Sequence, residues 1–142
     1  NMFTGVFLAN GGGAAIEETL AALHFGPAAT LSLILVCGFL AGFFLDWISV
    51  LLIFIPVFVP ILSRMGLDRL WICILFMLVV QTSYLTPPMA PAIFYFRGIK
   101  PDSITTGHIM RGVVPFIVIQ FLLIILIFIM PELALWLPRA LE

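Results

Sequence analysis

Residues 30–62 read TLSLILVCGFLAGFFLDWISVLLIFIPVFVPIL, an apolar run with one charge, Asp46. As a single helix the run would measure about 50 Å, against a bilayer hydrocarbon core of about 30 Å. That is too long for one ordinary span. Gly38, Gly42 and Asp46 lie near its centre. Two arms of about 15 residues each reach roughly 22 Å, enough to enter a membrane, turn near its middle and leave on the same side. The run therefore predicts a re-entrant helical hairpin over 30–62 with its tip around Gly42 to Asp46. The rival is two short spans joined by an exposed loop, but Phe43, Phe44, Leu45 and Trp47 make a poor aqueous loop. Irregular backbone at membrane depth is tolerated only inside protein or beside a wet cavity, so the tip implies a cavity. An acid at that depth is expensive. Asp46 is expected to face protein, ion or water, and to cap the arm beginning at Trp47.

Composition places the whole chain in a bilayer. Of 142 residues, 63% are hydrophobic and 9% charged, with a net charge of −1. Mean hydropathy is +1.28. A soluble domain of this size needs a charged surface, and a nucleic-acid partner needs a basic one. Cys37 and Cys73 stand far apart in apolar runs and read as packing residues. Residues 1–29 are the least membrane-like: an interfacial amphipathic arm and linker. There NGGG (residues 10–13) breaks the chain, and Ile16, Leu20 and Leu23 share one helical face ended by Gly26-Pro27, with Glu17 and Glu18 on a solvated face. Residues 63–69 form a connecting loop, 70–96 a broken transmembrane helix, and 97–112 a polar loop. That loop holds a possible interfacial helix capped by Asp102 or Ser103. Residues 113–131 are an ordinary transmembrane helix and 132–142 a tail anchored by Trp136.

The break in 70–96 comes from QTSYLTPPMAP, Gln81 to Pro91. Proline cannot donate to the carbonyl four residues back, so Pro87 frees Ser83 and Pro88 frees Tyr84. Residues preceding proline leave the α region, and the helix is expected to unwind across Ser83 to Pro91. Freed carbonyls in hydrocarbon must be satisfied. With Gln81, Thr82, Ser83 and Thr86 alongside, they form an oxygen-rich, uncharged set suited to a hard cation such as Na⁺. Broken helices serve this purpose in many secondary transporters. A packed proline kink with no ligand is the structural alternative.

GFFLDWISVLLIFIPVFVPIL followed by QTSYLTPPMAPAIFYFRGI resembles the C-terminal part of the large membrane subunit of tripartite ATP-independent periplasmic (TRAP) transporters, in variants similar to the mannitol/chloroaromatic branch. The resemblance covers nearly the whole chain. It implies an all-α integral membrane fold comprising a re-entrant hairpin, a proline-broken transmembrane helix and one further transmembrane helix. This is one half of an inverted-repeat, elevator-type transporter. It implies Na⁺-driven import of a small organic solute, an organic acid, delivered by a periplasmic binding protein. The expected partners are a small membrane subunit, the N-terminal half of the large subunit and the lipid bilayer, with no nucleic acid. Na⁺ is the coupling ion and no cofactor is expected. The resemblance puts the ion at Gly42, Asp46, Thr82, Ser83, Thr86 and Pro87, with Gln81, Pro88 and Met89 lining the substrate pocket. Where the family commonly has proline after the aspartate, this chain has Trp47.

Geometry groups the segments by face; the Lys/Arg count ties at three on each, and their concentration in one loop gives the direction. A hairpin puts 1–29, 63–69 and the C-terminus on one face and 97–111 opposite. Arg97, Lys100 and Arg111 cluster in that loop, while Arg64, Arg69 and Arg139 are dispersed. This favours 97–111 cytoplasmic and the C-terminus periplasmic, and the resemblance implies the bacterial inner membrane. The competing readings are a Na⁺- or H⁺-coupled carboxylate or ion transporter without a binding protein, and a non-transport membrane scaffold subunit. An enzyme is not expected: Asp46 is a lone acid, and no metal or nucleophile set is visible.

Overall fold

The computed structural model describes residues 2–22, 24–86, 95, 98 and 105–141, and these contain helix and no strand. Helix α1 (Met2–Ala9) and α2 (Gly12–Ala22) form the arm. The chain turns between them at Asn10 and Gly11, whose φ of 81° suits glycine. Gly12 and Gly13 already belong to α2, so the break is narrower than NGGG suggests.

Helix α3 is Pro27–Ala41 and α4 is Trp47–Arg64. Gly26-Pro27 opens α3 instead of ending the preceding helix. Pro27 occupies the first helical positions, where its missing N–H costs nothing and its fixed φ is already helical. The turn between the arms spans Gly42 to Asp46. Asp46 caps α4, its carboxylate accepting the Ser49 N–H at 3.1 Å and the Ser49 hydroxyl. Helix α4 continues through Pro56 and Pro60 to Arg64.

Met65 and Gly66 turn the chain, and Asp68 caps α5 (Arg69–Leu85) by accepting the N–H groups of Leu70 at 2.8 Å and Trp71 at 3.2 Å. Helix α6 is Thr106–Ile129 and α7 is Glu132–Ala140. The first turns of α6 are continuous with its apolar body. The observed cap is Thr105, whose hydroxyl accepts the His108 N–H at 3.3 Å; Asp102 and Ser103 lie outside the described residues. The tail is therefore helical over much of its length, with Trp136 exposed and Leu135 buried.

The core lies around α5. Leu31, Ile34 and Leu35 of α3 meet Val59 and Leu62 of α4, and Trp71, Ile72, Leu75 and Phe76 of α5, in one buried cluster. The start of α3 and the end of α4 thus share one end of the bundle, as folding back at 42–46 requires. Phe54 of α4 packs on Phe76 with ring centroids 5.9 Å apart, and both rings sit against Gly38. Glu17 is not simply solvated. It pairs with Arg64 at 2.9 Å and ties the arm to the end of α4.

Two described helices, α4 and α6, are long and apolar enough to cross a membrane. In α6 no residue is buried within this chain, and apolar side chains are exposed from Val114 to Ile129. Its contact with α5 includes Ile124, Ile127 and Phe128, which are partly buried against the core cluster. Trp71 and Phe128 rings lie 5.8 Å apart, and the Trp71 indole N–H donates to the Ile127 carbonyl at 2.9 Å. That carbonyl lacks its own helical donor because residue 131 is proline.

Candidate functional site: the hairpin tip against the end of α5

Successive helical residues point about 100° apart, so the last turns of α5 address three neighbours at once. Gln81 faces the start of α4 across a cavity of about 300 Å³ lined by Trp47, Leu51, Met77, Val80, Gln81 and Tyr84. Thr82 is fully buried and faces α6; its Oγ1 lies 2.7 Å from the Leu78 carbonyl and 3.4 Å from Gln120 Oε1. Ser83, 1% exposed, faces the hairpin tip.

The tip reaches α5 at Gly42. A Cβ added to Gly42 would collide with Ser83 Oγ and lie 2.8 Å from Ser83 Cβ. Glycine is needed here for close approach, since its φ of −64° is open to any residue.

Helix α5 does not unwind at Ser83. It remains helical through Leu85, and Thr86 is the first extended residue, with φ −84° and ψ 128°. Proline deprives upstream carbonyls of a donor without forbidding helical dihedrals to their residues. It acts sterically on the residue immediately before it. The Thr86 N–H meets the Thr82 and Ser83 carbonyls at 3.1 and 3.3 Å, so the Ser83 carbonyl is partly satisfied. Pro87, Pro88 and Met89 lie outside the described residues.

The three aliphatic hydroxyls at this end donate inward. Thr82 gives its proton to Leu78, Ser83 to the Val80 carbonyl at 2.7 Å, and Thr86 to the Thr82 carbonyl at 2.7 Å. A hydroxyl so committed retains lone pairs with which to accept a donor or ligate a cation. Gly42 and Ser83 come together, with Thr82 and Thr86 on the same two turns. Asp46 does not join them. It stands exposed at the tip, and among the described residues no hydrogen bond links it to Thr82, Ser83 or Thr86. Of the roles expected for it, the cap on α4 is the one observed: the N–H and hydroxyl of Ser49 hold its oxygens.

Gln120 was not singled out by the sequence reading, although the signal was present. It is the one polar residue between Val113 and Met130, and polar groups at membrane depth face protein or water. Among the described residues no group of three His, Cys, Asp or Glu side chains could hold a metal ion.

The family model described as tripartite ATP-independent periplasmic transporter, DctM component, matches residues 1–133. Similar proteins include the ectoine TRAP transporter large permease protein of Halomonas elongata, 34% identical over 87% of this chain and 28% of that protein. The sialic acid TRAP transporter large permease protein of Vibrio cholerae is 30% identical over 80% of this chain and 26% of that protein. The sialic acid TRAP transporter permease protein of Haemophilus influenzae is 25% identical over 89% and 20%. The chain thus spans 20–28% of the length of these relatives. No solved structure matches. Helices without a strand among the described residues, a hairpin tip seated on a helix that ends before a proline pair, and a family match over most of the chain's length lead to one conclusion: the chain belongs to the DctM family, the large membrane subunits of TRAP transporters.

Proposed function

We propose that this chain forms the C-terminal repeat of a Na⁺-driven importer in the bacterial inner membrane, one that moves a small organic acid handed over by a periplasmic binding protein. It works beside a small membrane subunit and the N-terminal part of the large subunit. The single observation carrying the proposal is the seat of Gly42 on Ser83, one turn before the helix ends at Thr86.

A sodium ion between tip and break would draw on the outward lone pairs of Ser83 and Thr86 and on the backbone at Gly42, with Thr82, which faces α6, acting through the Thr86 that its carbonyl holds, and with Pro87, outside the described residues, as a further expected ligand. Asp46, close along the chain to this point, supplies negative charge at the tip without direct ligation. Binding the ion would tighten the tip against α5 and shape the neighbouring space. The cavity beside Gln81 is where a solute would lie, and Pro88 and Met89, the other expected lining residues, lie outside the described residues. The relatives' names give sialic acid, ectoine and C4-dicarboxylate, all small organic solutes that carry a carboxylate. Transport then proceeds by the elevator motion of this repeat with its counterpart. The C-terminus lies on the periplasmic face.

The test needs no knowledge of the solute. The complete large subunit with its small subunit is purified, and its Tm is followed as NaCl replaces KCl at constant ionic strength. A ligand at a hundred times its Kd stabilises the folded state by about 2.7 kcal/mol, so Tm should rise with sodium and saturate. A Tm that is the same in both salts overturns the sodium reading.

A further inference from the structure

We propose that Gln120 is a positioning residue for the ion site, acting from α6 through Thr82 to fix where α5 ends. The inference rests on the sodium reading above.

Thr82 is the hub of the helix end. Its carbonyl receives both the N–H of Thr86, at 3.1 Å, and the hydroxyl of Thr86, at 2.7 Å, so it determines the placement of the first extended residue. Its own side chain is fully buried and turned away from the hairpin, towards α6. There Gln120 is the one residue that can answer it, lying in a run that is otherwise apolar from Val113 to Met130.

The chemistry of the contact is informative. The Thr82 hydroxyl has a single proton, and the Leu78 carbonyl at 2.7 Å takes it. What remains at Thr82 Oγ1 is an acceptor. The 3.4 Å contact with Gln120 is therefore best made by the amide nitrogen, donating to Thr82 Oγ1, with the carboxamide turned over from its drawn orientation. In that orientation the amide and both threonines form a directed chain. Gln120 donates to Thr82, and the Thr82 carbonyl holds Thr86.

The other polar contact between α6 and α5 lies near the opposite end, between the Trp71 indole and the Ile127 carbonyl. The two polar contacts pin the helices at two levels. The Trp71 contact satisfies a carbonyl orphaned by Pro131 and serves α6 itself. The Gln120 contact serves no orphaned backbone group, and it falls beside Ser83, the residue on which the hairpin tip rests. A contact so placed sets the rotation of the last turn of α5, and with it the direction of the Ser83 and Thr86 oxygens.

The experiment uses the complete transporter and the sodium-dependent Tm. Gln120→Met keeps the length and bulk of the side chain and removes the amide; Gln120→Asn keeps the amide but shortens its reach. Interhelical hydrogen bonds in membranes are modest, so both substitutions should raise the half-saturating sodium concentration roughly threefold to tenfold. Thr82→Val should shift it in the same direction, and adding Gln120→Met to Thr82→Val should change it no further, since the two act as one contact. A purely structural role would lower Tm equally in sodium and potassium and leave half-saturation unmoved. That result, alongside a normal sodium response in the parent protein, overturns the positioning role alone. A parent protein with no sodium response overturns the sodium reading and this role together.

Discussion

Gly42 bears no side chain where Ser83 occupies the space one would need, and that pair is the tightest point of the candidate site. Gly42→Ala is expected to push the tip off α5, at a cost of about 1–3 kcal/mol, typical of overpacking. The fall in Tm of the complete transporter measures it. Ser83→Gly removes both atoms in the way, so the double substitution should recover most of the loss. If Gly42→Ala is tolerated on its own, the tip does not rest on α5. Polar residues sort by geometry in the same manner. Asp46 stood out in the sequence as a lone acid, and its nearest chemistry is a cap on α4. Thr105, unremarkable in a polar stretch, caps the long α6.

Among the elements, α6 meets α5 through partly buried side chains such as Ile124, Ile127 and Phe128, since none of its residues is fully buried in this chain. Trp71 supplies the donor that Pro131 withholds from the Ile127 carbonyl. Trp71→Phe keeps an aromatic ring against Phe128 but leaves that carbonyl unpaired in an apolar setting. A loss of about 1–3 kcal/mol is expected, seen as a lower Tm in both sodium and potassium. An unchanged Tm would mean another donor reaches Ile127. The first hairpin arm and α5 follow a common rule. In each, an apolar helix is stopped short of a full span, α3 after 15 residues and α5 after 17. The two stops are stacked against each other at Gly42 and Ser83.

For the whole molecule, the direction of the hairpin decides the topology. Cysteines placed singly at Ala29, Ser63 and Leu141, in a background lacking Cys37 and Cys73, should all label from the periplasmic side with a membrane-impermeant thiol reagent. Labelling of Ala29 and Ser63 positions from opposite sides would make 27–64 a pair of crossings instead of a re-entrant turn. Labelling of all three from the cytoplasm would keep the hairpin and invert the orientation inferred from Arg97, Lys100 and Arg111. The exposed apolar sides of α6 and of the tip, including Phe44 and Trp47, require lipid or further protein around them.

The amino-acid sequence determined the helical class, the turn at Gly42 to Asp46 and the ending of α5 ahead of Pro87. These follow from covalent facts close along the chain: a hydrophobic run too long for one span, a cap, and a ring without an N–H. It misplaced boundaries where steric reach mattered, extending the break back to Ser83 and assigning Gly26-Pro27 to the wrong helix. What it could not supply is which faces meet. Ser83 turns to Gly42, Thr82 to Gln120 38 residues away, and Trp71 to a carbonyl 56 residues away. Those pairings depend on the rotation of each helix about its own axis. Rotation is set by how Leu31, Leu62, Ile72 and Phe76 pack around α5, a property of the assembled bundle and of no single segment.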